Sequence, residues 1–271
     1  MRHTATTLAV VAFLFSAGSA LADWDDVREA FEQGEYAIVM EELHELAEEG
    51  DAEAQRALGQ QYTDDPAGLG TPQNYAEAMK WYRKAAGQGH KEAQNDLGQM
   101  YQQGLGVAKS DTDAAKWWRK AAEQGYAQAQ HNLGLLYYHG TGVPQNDAEA
   151  VKWWRKAAEQ GVALAQSSLG VMYSNGNGVP ENDAEAVKWY LKAAVQGYAK
   201  AQNNLGFAYL NGEGVPQDNV KAFMWLSLAK AGGHKNKIME RRFKKLKKEM
   251  TPAQLTEAQA LAAEMWEKFN N

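Results

Sequence analysis

Residues 117–125 read WWRKAAEQG, and residues 153–161 read the same. A nine-residue word repeated 36 positions later limits the fold more than any other feature of this chain. Catalytic constellations rarely come in copies, whereas a unit that buries its apolar face against copies of itself must. The dipeptide Leu-Gly keeps the same beat at Leu58-Gly59, Leu97-Gly98, Leu133-Gly134, Leu169-Gly170 and Leu205-Gly206, in steps of 39, 36, 36 and 36. The longer first step is an insertion in the loop TDDPAGLGTPQN. Trp81, Trp117, Trp153, Trp189 and Trp225 hold a step of 36 throughout.

Each unit reads as two helices. In AQAQHNLGLLYYH, residues 127–139, Ala129, Leu133 and Tyr137 recur every four residues and share one stripe. Gly140, Gly142 and Pro144 then break the helix. Asn146 followed by Glu149 has the spacing of a capping box, and Asn74/Glu77 and Asn182/Glu185 repeat it. The second helix, DAEAVKWWRKAAEQ, is expected to bury Ala150, Trp153 or Trp154, and Ala157. Gly125 and Gly161 suit the left-handed position that ends such helices. An aromatic stripe at this spacing is core, so WWRKAAEQG reads as scaffolding rather than as a site.

The pattern A-x-A-Q-x-x-L-G-x-x-Y, then G-x-G-V-P, then A-x-x-W-x-x-K-A-A-x-x-G resembles the Sel1-like repeat, a relative of the tetratricopeptide repeat. The resemblance implies an all-α fold: a right-handed α-solenoid of stacked helix-turn-helix units. Five repeats are expected over residues 51–233. The second departs from the pattern in its loop, GLGVAKS at residues 104–110, which carries no proline. Residues 23–50 read as a degenerate capping unit, helix, Gly34, helix. Residues 234–271 read as C-terminal capping helices, the last opened by the capping box Thr251-Pro252-Ala253-Gln254.

The first residues, MRHTATTLAVVAFLFSAGSALA, combine Arg2, a short apolar run and Ala20-Leu21-Ala22. This is the layout of a secretory leader cleaved after Ala22, which directs the chain to the periplasm or outside the cell. The sequence has no cysteine, which excludes disulfides, thiol chemistry and a lipoprotein anchor. Charge is uneven. Residues 23–50 hold eleven Asp and Glu against Arg28, while residues 235–248, KNKIMERRFKKLKK, are strongly basic. Both stretches read as solvated capping helices. Ile238, Arg242 or Phe243, Leu246 and Met250 can share the face that docks on the last repeat. Contact of this helix with an anionic membrane surface is the lesser alternative. An exported acidic chain is not expected to bind nucleic acid.

Catalytic signals are weak. His44-Glu45-Leu46-Ala47-Glu48 lacks the second histidine of a zinc-protease helix. The Gly-rich loops follow helices and lack a phosphate-binding lysine, and Ser167-Ser168 has no evident base. Secreted Sel1 relatives with disulfides have been linked with penicillin binding or hydrolysis, but this chain lacks their cysteines. No enzyme activity, cofactor, metal or small-molecule substrate is expected, and a hydrolase such as a β-lactamase is the alternative class.

A partner site is sought where the repeats differ. Taking the leucine of Leu-Gly as 0°, the residues five and two before it and two, five and six after it fall at about 140–240°, opposite the core stripe. In tetratricopeptide proteins the matching offsets touch ligand. The first two repeats offer polar residues there. The later three offer His131, Leu135, Tyr138 and His139, then Leu164 and Val171, then Asn203, Phe207, Leu210 and Asn211. Large apolar groups on a face that should be solvated suggest an interaction surface. The expected function is a periplasmic or exported scaffold binding a protein or peptide in a concave groove. An envelope regulator of a sensor or secretion system is the other non-catalytic reading.

Overall fold

The computed structural model describes residues 23–65, 68–234 and 236–270, so the expected leader lies outside the described residues. These residues form fourteen helices and no strand. Helices α1 (Asp23–Gln33) and α2 (Tyr36–Glu49) precede five helical pairs. The pairs are α3 (Ala52–Asp64) with α4 (Tyr75–Gly87), α5 (Lys91–Gln103) with α6 (Asp111–Glu123), and α7 (Ala127–His139) with α8 (Asp147–Glu159). Then come α9 (Ala163–Asn175) with α10 (Asp183–Ala194) and α11 (Ala199–Asn211) with α12 (Asn219–Ala231). Helices α13 (Lys237–Glu249) and α14 (Pro252–Asn270) close the chain. The contacts define two compact units. Among the described residues, one runs up to Ala129 and takes in Thr141–Val143; the other is Gln130–Gly140 with the residues from Pro144 onward.

Three recurring devices build each pair. The first is the start of the second helix. Asn74, Ser110, Asn146, Asn182 and Asp218 are its N-caps, and their side chains accept from amides two or three residues ahead. Their own amides donate to Tyr62, Tyr101, Tyr137, Tyr173 and Tyr209 at 2.8–2.9 Å, which ties the loop to the preceding helix. The N-cap amide is thus already used. Contrary to the capping-box expectation, Glu149 pairs with Lys152 at 3.0 Å instead of reaching back to Asn146. The reciprocal box does form at α14, where the Thr251 amide donates to Gln254 (2.9 Å) and the Gln254 amide to the Thr251 hydroxyl (3.3 Å).

The second device is glutamine. Buried Gln55, Gln94, Gln166 and Gln202 each donate to an alanine carbonyl eight residues back, at 2.9–3.2 Å. The side-chain carbonyls of Gln55, Gln94 and Gln166 accept from the glutamine that ends the next second helix, as in Gln124 to Gln94 (2.7 Å) and Gln196 to Gln166 (2.8 Å), whereas no glutamine ends the helix after Gln202. The Q of WWRKAAEQG is therefore a clamp between helices. A net gain of about 1 kcal/mol per bond, recurring in each repeat, fixes register as well as stability.

The third device is the glycine of Leu-Gly. A Cβ built on Gly59, Gly98, Gly134, Gly170 or Gly206 would lie 2.5–2.7 Å from Tyr82, Trp118, Trp154, Tyr190 or Leu226 respectively. Glycine lets the second helix press a large side chain onto the backbone of the first. The column pressed onto the glycines is thus the second residue of each pair, one later than the tryptophan series that marks the period. Trp153 is also buried, at 6% exposure against 2% for Trp154. Lysines three residues on lie over Trp81, Trp117, Trp153 and Trp189, with Lys156 at 4.7 Å from the Trp153 ring and Lys192 at 3.9 Å from Trp189.

In the second unit, α12 receives both terminal helices. Met239, Leu246 and Met250 are buried, and Phe243 stacks on Phe223 at 4.5 Å. Ile238, expected on this face, is 59% exposed; Met239 takes its place one residue later. In α14, Ala258 is fully buried, and Leu261 and Met265 pack with Trp225 and Leu228.

Candidate functional site

The expected partner face divides into three regions in the structure. One row is not open surface. Two positions before the leucine in four of the five Leu-Gly pairs, Asn95, His131, Ser167 and Asn203 are all buried. His131 is 3% exposed, with its ring 6.5 Å from that of Trp154, and its backbone carbonyl accepts the Trp154 indole proton at 3.2 Å. Burial holds the His131 imidazole down to about 4, so it is neutral near pH 7. Asn203 donates to Asn204 at 3.2 Å. His131 and Asn203 are therefore floor and not contact surface. In the stacked array a first helix has neighbours on more than one side, which a single core stripe does not anticipate.

A second region stays open. Leu135, Tyr138, His139 and Val171 come together around a recess of about 190 Å³, with Trp154, Ser167, Ser168, Met172, Tyr198 and Lys200 completing its lining. Tyr138 lies between two rings, 4.9 Å from His139 (edge-on) and 5.5 Å from Trp154 (tilted). Leu164, on the first turn of α9, is 47% exposed. Trp154 and Tyr198 were missed in the sequence because both sit in repeated motif positions that read as core.

The third region is partly covered, although Phe207 also lines a recess of about 130 Å³ with Tyr190 and Asn204. Phe207 and Leu210 pack with Phe223, Leu226, Met239, Leu246 and Met250, so the terminal helices draw them into the core of the second unit. Asn211 remains exposed and donates to Glu213 at 3.0 Å.

In the first unit the polar groove residues are tied to one another. Arg56 reaches Asp96 at 3.2 Å and Glu53 at 3.5 Å, and His90 meets Glu53 at 2.8 Å. Burial by itself would raise the Glu53 carboxyl, but the His90 hydrogen bond and the Arg56 charge bring it below its ordinary value. Burial dominates at Asp96 and leaves its carboxyl raised despite Arg56. Beside this network lies a recess of about 350 Å³ lined by Gln60, Thr63, Asp64, Tyr82, Gln99 and Gln103 among others. His44, from the incomplete zinc-protease pattern, donates to the Met40 carbonyl (2.7 Å) and accepts from Tyr62 (3.1 Å). No group of three His, Asp or Glu among the described residues could hold a metal ion. No helix among them is long and apolar enough to cross a membrane.

Paired helices locked by glycine on aromatic, repeated at 36 residues, define an all-α helical solenoid. The Sel1 repeat family matches at residues 52–90, 91–126, 127–162, 163–198 and 199–234, and the chain belongs to that family. Among solved structures it is similar to a Sel1 repeat protein from Oxalobacter formigenes, at 35% identity and a TM-score of 0.71, over 77% of this chain and 85% of the other. It is also similar to c5321, a protective antigen of uropathogenic Escherichia coli strains, at 26% identity and a TM-score of 0.44 over 98% and 76%. A comparison with curated proteins gives no match. Sel1 repeat proteins generally mediate protein–protein interaction.

Proposed function

We propose that the chain is a non-catalytic, exported scaffold that holds a peptide segment of a partner protein on the second unit, centred on Tyr138. The observation that carries this is the recess itself. Leu135, Tyr138 and Val171, each partly open, line one recess together with Tyr198 and Lys200. Exposed aromatic groups set among packed neighbours are the usual anchors of interfaces. A rigid helical array suits the task, because the groove is ordered before the partner arrives and binding costs less conformational entropy. Residues 23–50 and 234–271 serve as caps, shielding the end repeats from water.

The test is comparative capture. Immobilised protein and its Tyr138→Ala variant are exposed to the same cell-envelope extract, and retained proteins are quantified by mass spectrometry. The expected result is a partner held by the parent and lost from the folded variant. Identical retention by both would place the site elsewhere. Export is checked by fractionating cells that produce the chain with and without residues 1–22.

A further inference from the structure

We infer that the recess on the second unit reads a single tyrosine side chain with an acidic residue beside it; this rests on the peptide-binding reading above. Size comes first. About 190 Å³ is below the roughly 300–1,000 Å³ of sites for drug-sized ligands, but suits one side chain of a peptide. The walls come next. Tyr138 and Trp154 present rings 5.5 Å apart, with Leu135 and Val171 alongside. Offset and edge-on contacts with such rings favour an aromatic guest over an aliphatic one.

The floor separates tyrosine from phenylalanine. Ser167 lines the recess, is 2% exposed, and its hydroxyl has no hydrogen-bond partner among the described residues. A buried hydroxyl without a partner is costly, and a phenol entering from above supplies one. The same register carries two more polar atoms without partners among the described residues, His131 Nδ1 and Asn203 Oδ1. The polar floor is therefore a property of the row rather than an accident at one serine. At the rim, exposed Lys200 supplies a cation for a carboxylate next to the tyrosine.

The probes are three capped dipeptides: N-acetyl-Glu-Tyr-amide, N-acetyl-Glu-Phe-amide and N-acetyl-Lys-Tyr-amide. Each is titrated into isotope-labelled protein while the Trp154 indole and Val171 amide signals are followed by NMR. The expected result is that Glu-Tyr binds about five- to tenfold more tightly than Glu-Phe, the worth of one neutral hydrogen bond. Ser167→Ala should remove that difference, and Lys200→Glu should reverse the preference between Glu-Tyr and Lys-Tyr. If the recess signals move equally for tyrosine and phenylalanine, or Ser167→Ala changes nothing, the tyrosine inference is overturned and the peptide-binding reading stands. If no probe moves these signals, while a captured partner segment does, the inference falls alone. If the partner segment leaves them unmoved too, both fall.

Discussion

Gly134 and Trp154 meet so closely that a Cβ on the glycine would lie 2.6 Å from the indole Cδ1 and Nε1 atoms. The same indole donates to the His131 carbonyl at 3.2 Å, so Trp154 both packs on and bonds to the first helix of its repeat. Trp153, its neighbour, lies beneath Lys152 and Lys156 instead. We predict that Trp154→Ala destabilises by about 3–5 kcal/mol and that Trp153→Ala costs less. Gly134→Ala should cost about 1–3 kcal/mol through overpacking, since an indole held on both sides has little room to retreat. Denaturant melts of the three variants decide, and equal losses for the two tryptophans would contradict the assignment.

The periodicity made the pairs legible because each repeat solves the same packing problem with the same letters. Leu133, Ala129 and Ala157 are buried as the stripe requires. What periodicity could not separate was the roles of adjacent letters. Trp153 and Trp154 recur together, and only the glycine opposite reveals which is pressed against the first helix. The groove was half legible for a related reason. A wheel drawn for one helix has one inside and one outside, but α9 also packs against α8 and α10. That extra contact buries Ser167, and the terminal helices cover Phe207. Neither neighbour is encoded in the letters of the helix itself.

Helix α14 buries Ala258 completely and lays Leu261, Met265 and Phe269 against the core that contains Trp225. Deleting residues 251–271 should therefore strip apolar surface from α12 as well as from α13. We predict a lower melting temperature and self-association of the shortened chain. Size-exclusion chromatography with light scattering checks the second effect, and a monomer with an unchanged melt would show that α14 is dispensable.

His131 gives a pH dependence with a definite sign. Its folded-state value, about 4, lies below the ordinary 6.5 because burial disfavours the cation. The unfolded chain binds the proton first, so stability is unaffected above pH 6.5 and falls as pH drops from there toward 4. The gap between 6.5 and about 4 corresponds to about 3 kcal/mol. His131→Asn places at this position the residue found at Asn95 and Asn203. The variant should lose less stability than the parent between pH 7 and pH 4.5 in urea melts. Parallel losses would mean that other groups govern the acid limb.

The last prediction separates the open recess from the covered end of the same face. Tyr138 and Phe207 occupy related positions, five and two residues after their leucines, and both are partly buried. Tyr138 borders the recess of about 190 Å³, whereas Phe207 lines a smaller one of about 130 Å³ and packs with Phe223, Met239 and Leu246. Tyr138→Ala should therefore weaken partner binding by about 2 kcal/mol or more, roughly thirtyfold, with a smaller change in stability. Phe207→Ala should do the reverse: a clear loss of stability, as for a core aromatic, and little change in affinity for the fraction that remains folded. Arg155 provides the control, because it lies on the exposed side of the repeated word and spends its guanidinium on the Tyr173 hydroxyl at 2.7 Å. Arg155→Ala should leave binding unchanged. Calorimetric titration of the captured partner, paired with circular dichroism melts of each variant, measures both quantities. If Phe207→Ala abolishes binding while the melt stays fixed, the terminal helices do not close that end, and the partner reaches along α11. If Arg155→Ala abolishes it, WWRKAAEQG is itself the contact surface.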